Sequence, residues 1–312
     1  MIVRVEQLVK RYQELVALDH FSLQVEEGEI LGLLGPNGSG KTTAINCMLS
    51  LLKYDKGSVE LFGEPMRPDA YEIKKQIGVV FQNIAVFEEL SVEENVRYFC
   101  SLYVKDKAER ERCVEWALDF VGLREFRGFR PRKLSGGMLR RLNIACGIAH
   151  HPKLIFMDEP TVAVDPQSRN NILEGIVKLN EQGAAVIYTS HYMEEVEQLC
   201  TRIVILDDGR VVACGTKEEL KEMIALREKI TIEDVVLSEE QRAMFEELPA
   251  LLDLQYHSRQ LRLSFGVGSG HLESLLGLLR RAQISYGKIY SEQPTLNDVF
   301  LEITGRELRD DV

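Results

Sequence analysis

Nine residues, Gly35-Pro36-Asn37-Gly38-Ser39-Gly40-Lys41-Thr42-Thr43, constrain the fold of this chain more than any other stretch. They fit G-x-x-x-x-G-K-[ST], with Gly35, Gly40, Lys41 and Thr42 at the defining positions. An apolar run, Ile30–Leu34, leads in as a buried strand would, and 43–49 leads out as a helix. Glycines in such a loop let successive backbone N–H groups turn inward and form an anion nest at a helix N-terminus. Lys41 is then placed for the β- and γ-phosphates of a nucleoside triphosphate, and the Thr42 hydroxyl for Mg²⁺.

The rest of the composition narrows the class. The 312 residues suffice for two domains. With 45% hydrophobic and 28% charged residues, the chain has the makeup of a soluble globular protein. No apolar run approaches the ~18 residues of a transmembrane helix, and the N-terminus lacks the layout of a secretory signal. The six cysteines are scattered, without a C-x-x-C pair, which argues against zinc and disulfides and for a reducing cytoplasm. A net charge of −11 disfavours broad contact with nucleic acid. The basic stretch from Arg124 to Arg141 is the local exception and reads as a solvated surface, some of whose side chains could approach a nucleotide or an acidic partner.

Period-two alternation marks strands at 2–5, 21–25 and 58–63. From about Ser91 to His150 the pattern turns helical, most clearly at 111–121, as expected of a helical subdomain (about 85–150) inserted in a nucleotide-binding core. Apolar strands at 154–157 and 185–188, with a helix around 170–180 between them, form a βαβ unit in a parallel, buried sheet. Residues 202–213 read as a hairpin and Lys217 to about Lys229 as a charged helix. Beyond it the order is strand (229–236), helix (239–248), strands (252–257 and 261–266), helix (271–282) and strand (287–291). That βαββαβ order is ferredoxin-like, and a last helix, 295–308, closes the chain. The expected domains are 1–220, a linker at 221–228, and 229–312.

A phosphate loop needs a metal carboxylate and a base at the carboxyl ends of neighbouring parallel strands. Asp158 and Glu159 directly follow the strand 154–157, so Asp158 is the candidate Mg²⁺ carboxylate and Glu159 the candidate base. Gln82, after the strand 78–81, is a candidate oxygen for the same ion. His191 follows the strand end at Ser190 and is placed for the γ-phosphate or to brace Glu159. Tyr12 is a candidate for stacking on adenine, or equally a packing aromatic. The glycines of Leu134-Ser135-Gly136-Gly137-Met138 precede a helix and resemble a second anion-shaped N-terminus, which points to a partner subunit.

Together these residues resemble the ATP-binding cassette ATPases over positions 1 to about 220. Tyr12 matches the A-loop aromatic, 35–43 the Walker A loop, Gln82 the Q-loop, and 134–138 the signature. Positions 154–159 match the Walker B strand, 161–165 the D-loop, and His191 the switch histidine. The resemblance implies an α/β P-loop cassette with an N-terminal antiparallel β-subdomain, ATP and Mg²⁺ as ligands, and catalysis by Lys41, Gln82, Glu159 and His191. It implies head-to-tail pairing with a second copy or a paralogue, so that Ser135, Gly136, Gly137 and Asp165 act across the interface. Met138 replaces the usual Gln of the signature, and 162–164 depart from the common D-loop wording. The stretch 294–306 is similar to the tail of ATPases serving ABC-2-type exporters. A cytoplasmic ATPase, peripheral on the inner membrane face and driving a separate permease for export, is therefore the leading expectation, with 87–103 as the permease contact. An importer ATPase with a ligand-sensing C-terminal domain and a non-transport ATPase are the alternatives.

Overall fold

The computed structural model describes residues 1–305, and the chain divides into two units, Met1–Thr216 and Lys217 onward. The first is built on a six-stranded sheet in the order Arg210–Gly215, Arg202–Asp207, Ile30–Leu34, Ala185–Thr189, Leu154–Asp158, Ile77–Val80. Only the first pair is antiparallel. The three central strands are buried at every residue, which is why they read as unbroken apolar runs rather than as alternation. Register sets Leu33 beside Thr189 and Thr189 beside Asp158, so the strand ends that carry the polar groups lie side by side.

A second sheet of the first unit is antiparallel, in the order Leu15–Val25, Val3–Tyr12, Lys56–Leu61, Glu64–Pro65. The helix Lys41–Met48 shares one core with both sheets through Ile45, Phe21, Val59, Leu31 and Phe156. The strands expected at 2–5 and 21–25 are each far longer. Register shifts after Val5 and Leu8, with Gln7 at φ 50°, break the period-two pattern that would have revealed them.

The helical segment comprises Val92–Ser101, Lys107–Phe120 and Gly136–Ile148, whose N-termini are capped by Ser91, Asp106 and Ser135. The basic stretch 124–141 is solvated only in part: Arg124, Arg130, Arg132 and Lys133 are exposed. Arg127 bonds Glu93 at 2.5 Å and Glu115 at 2.6 Å, Arg132 bonds Glu88 at 2.8 Å, and Arg140 is buried. Acids distant in sequence pair with Arg127 and Arg132. The helix around 170–180 starts earlier, at Pro166, because Asp165 caps it.

The second unit has strands Glu228–Ile232, Leu251–His257, Gln260–Phe265 and Ile289–Glu292, with helices Glu239–Glu246 and His271–Arg281. Every pairing is antiparallel, and the sheet order by sequence is second, third, first, fourth. That is the ferredoxin-like arrangement. Its separate core joins Ile230, Phe245, Leu263, Phe265 and Leu275. The charged helix stops at Met223, and Lys229 lies in a strand. Between them, Arg227 donates to the carbonyls of Glu222 at 3.1 Å and Leu226 at 3.0 Å. The closing helix runs Leu296–Thr304, capped by Thr295; positions 306–308 of the expected helix lie outside the described residues. Among the described residues no helix is long and apolar enough to cross a membrane.

Candidate active site

The loop 35–43 turns from the end of the strand Ile30–Leu34 into the helix Lys41–Met48. Gly40 caps that helix at φ 108°, and a Cβ there would lie 2.6 Å from the Ala17 carbonyl oxygen. A Cβ on Gly35 would lie 2.3 Å from the Leu206 carbonyl oxygen. Only glycine fits either position. Lys41 is buried, and its ammonium donates to the carbonyls of Gly35 at 2.8 Å and Pro36 at 3.1 Å. Burial lowers its pKa, opposed by the nearby Glu159 and Asp158 carboxylates. Ser39 Oγ is buried without a hydrogen-bond partner. A desolvated cation held by two loop carbonyls, an orphaned hydroxyl and a helix start with no side-chain cap together fit a polyphosphate.

Asp158 is buried between two hydroxyls. Thr189 Oγ1 donates to its Oδ1 at 2.7 Å and Thr42 Oγ1 to its Oδ2 at 3.0 Å. The chemistry of this set, one carboxylate and one threonine hydroxyl beside Gln82, suits a hard divalent cation such as Mg²⁺. Glu159 adopts φ 48°, a strained backbone for a non-glycine residue. Its N–H is fixed by Thr189, through the carbonyl at 3.2 Å and Oγ1 at 3.0 Å. The Glu159 carboxylate accepts from Gln82 Nε2 at 3.0 Å, and His191 Nδ1 lies 3.6 Å from its other oxygen. The His191 contact lowers the Glu159 pKa more than burial raises it, with Lys41 and Arg140 acting in the same direction. Glu159 is thus kept ionised.

Lys41, Thr42, Gln82, Asp158, Glu159 and His191 therefore converge at one sheet edge. Two further residues escaped the sequence reading. Thr189 bonds both Asp158 and Glu159, and its signal was its register beside Asp158, which needs the sheet. Arg140 donates from Nη1 to the carbonyls of Gln82 at 2.8 Å and Phe81 at 3.2 Å, holding the Gln82 backbone. Its place in a basic run hid it.

The remaining candidates lie elsewhere in the unit. Tyr12 ends its strand 45% exposed, with the Lys10 ammonium 5.1 Å from its ring centre. Ser135 Oγ accepts from Met138 N–H at 3.3 Å, and Asp165 Oδ1 from Ser168 N–H at 2.9 Å, each within its own helix start. Gly136 is exposed, and a Cβ on it would meet nothing closer than the Ala163 carbonyl oxygen at 4.0 Å. Gly137 is buried, and a Cβ on it would lie 2.3 Å from Ser168 Oγ and 3.0 Å from Asp165 Oδ2. The two glycines thus have different physical reasons. Gly136 presents backbone to the outside, while Gly137 lets two helix starts meet.

A family model described as ABC transporter matches residues 18–162. The chain is 37% identical over 313 residues to the linearmycin resistance ATP-binding protein LnrL of Bacillus subtilis (strain 168), covering 99% of this chain and 100% of that protein. It is 34% identical to the Nod factor export ATP-binding protein I of Cupriavidus pinatubonensis, over 99% of this chain and 92% of the relative. Among solved structures, the ATP-binding subunit of an ABC transporter superposes with a TM-score of 0.66 at 27% identity, over 72% of this chain and 93% of that one. A dimeric ATP-binding cassette in a post-hydrolysis state, bound to ADP and Pi, gives 0.64 at 30% identity, over 69% and 98%. Motif geometry, fold and full-length similarity agree: the chain belongs to the ATP-binding cassette family, as an ATP-binding and ATP-hydrolysing subunit of an ABC transporter.

Proposed function

We propose that two copies of this chain, or this chain and a paralogue, close head to tail around ATP and drive a separate membrane permease in the direction of export. The observation that carries this reading is the division of the chemistry. Lys41, Thr42, Gln82, Asp158, Glu159 and His191 converge on one phosphate cradle, while Gly136 presents a second helix start outward from its own subunit. A second subunit supplies the arrangement in which that helix start meets the γ-phosphate, with Ser135, Gly136 and Gly137 acting in trans and Asp165 at the interface.

Within the cradle, the backbone N–H groups of 35–43 and the Lys41 ammonium bind the phosphates, the ammonium exchanging its loop carbonyls for phosphate oxygens. Thr42, Asp158 and Gln82 would hold Mg²⁺, which would supply charge neutralisation to the bound phosphates. Glu159 orients the attacking water and accepts its proton, and His191 braces that carboxylate while facing the γ-phosphate. Tyr12 stacks on adenine. The ferredoxin-like unit serves as an accessory or dimerisation domain, and the subunit works in the cytoplasm, peripheral to the membrane. Export is supported by full-length similarity to proteins named for drug resistance and Nod factor export.

Glu159→Gln tests the assignment. The amide keeps the shape but removes the proton acceptor, so turnover should fall about 10²- to 10⁴-fold while ATP binding persists and a closed dimer accumulates on size-exclusion chromatography. Near-normal turnover would remove Glu159 from its role.

A further inference from the structure

Behind the active site, a second buried polar cluster centres on Glu195, in the helix Met193–Leu199. Glu195 is 3% exposed, yet its Oε2 accepts three hydroxyls: Tyr188 Oη at 2.6 Å, Thr161 Oγ1 at 2.8 Å and Ser190 Oγ at 2.9 Å. Arg169 Nε lies 3.3 Å from its other oxygen. The same guanidinium sits 4.3 Å from the centre of the Tyr192 ring. Ser190 Oγ in turn accepts from the Tyr192 N–H at 3.0 Å.

The topology of these contacts is specific. Ser190 and Tyr192 are the two neighbours of His191, and both are held by the cluster. Thr161 and Arg169 flank the loop that ends at Asp165, and Arg169 N–H also bonds the Asp165 carbonyl at 2.9 Å. One carboxylate therefore joins Thr161 and Arg169 directly to Ser190, and reaches Tyr192 through Ser190 and Arg169. A buried charge placed for stability alone would be weakly motivated, since ion pairs of this kind cost desolvation and apolar side chains of the same shape do as well.

We propose that Glu195 is a positioning residue for His191, making that histidine and the 161–165 loop move as one body, so that closure of the partner on Asp165 is transmitted to His191, which already lies beside Glu159. This rests on the head-to-tail reading of the site above. A loop rigidly tied to a catalytic side chain transmits small displacements, and misplacement of such a group by an ångström costs up to about a hundredfold in rate.

The test uses the full chain with MgATP and four variants: Thr161→Val, which deletes one hydroxyl at constant shape, Thr161→Ser, which keeps it, Glu195→Gln, and His191→Ala. Thr161→Val and Glu195→Gln should lower kcat roughly tenfold while KM and the ATP dissociation constant measured by calorimetry stay unchanged, and Thr161→Ser should retain activity. In a His191→Ala background, Glu195→Gln should add no further loss. Normal kcat per folded molecule in Thr161→Val and Glu195→Gln, losses carried by KM, or losses that multiply with His191→Ala would each overturn the proposal. Should Glu195→Gln fail to fold, Thr161→Val against Thr161→Ser decides. If Glu159→Gln also turns over normally, the site assignment fails; if Glu159→Gln is inactive and Glu195→Gln is normal, this inference alone fails.

Discussion

Substituting alanine at Gly136 or at Gly137 makes the same chemical change one residue apart, with opposite structural consequences. Both lie in the first turn of the helix Gly136–Ile148, where alanine is favoured over glycine by about 0.5–1 kcal/mol. At Gly136 the new methyl has open space. At Gly137 it would sit 2.3 Å from Ser168 Oγ and 2.7 Å from Ser168 Cβ, closer than carbon atoms approach. Relief requires the helix Pro166–Glu181 to shift, and overpacking of this kind costs about 1–3 kcal/mol. Gly137→Ala should therefore be less stable than Gly136→Ala by roughly 1–3 kcal/mol, a melting difference of about 2–12 °C for a unit of this size. The single tryptophan, Trp116, packs 4.0 Å from His151 and 5.1 Å from Phe120 between ring centres, and its fluorescence reports unfolding of the first unit. Ser168→Gly removes both clashing atoms, so Gly137→Ala with Ser168→Gly should lose less than the two changes separately. Equal stability of the two alanine variants would refute the account of why the second glycine is there.

Two further outcomes follow from named groups. Ala163 sits at φ 58°, where a side chain costs about 1–2 kcal/mol, so Ala163→Gly should raise the melting temperature by a few degrees after glycine's own entropy cost of about 0.4–1 kcal/mol; a drop would show that the methyl packs usefully. Glu93, bonded to Arg127 and also to Arg97, has its pKa lowered from 4.5 to about 2. A depressed carboxylate adds stability above its unfolded pKa and loses it as pH falls through the folded one, so the stability advantage of wild type over Glu93→Gln should shrink between pH 4.5 and 2. Urea titrations across that range check it, and a constant difference would contradict it.

The phosphate loop was legible because its chemistry is contiguous: nine successive residues carry the glycines, the lysine and the threonine that the site needs. Asp158, Glu159 and His191 were legible because each ends an apolar run, and parallel topology places such ends together. Thr189, Arg140 and Glu195 were not, because their partners lie 30, 58 and up to 34 residues away in sequence. No local pattern distinguishes them from a strand end, a basic run and a charged helix. The first hairpin was shortened in the sequence reading for a different reason: bulges reset the side-chain alternation within each strand. The ferredoxin-like order survived because its strands alternate and its first helix is capped by Ser238 in a capping box.

The central claim is that each ATP site is completed by the partner's Ser135, and mixing two inactive variants tests it most directly. Ser135→Arg blocks the signature helix start, and Glu159→Gln removes the base. In a dimer containing one of each, one composite site carries both defects and the other carries neither. An equimolar mixture should thus recover about a quarter of wild-type ATP hydrolysis, since half the dimers are mixed and half their sites are intact. Activity no greater than the sum of the two variants alone would place Ser135 and Glu159 in the same subunit's site and contradict the account.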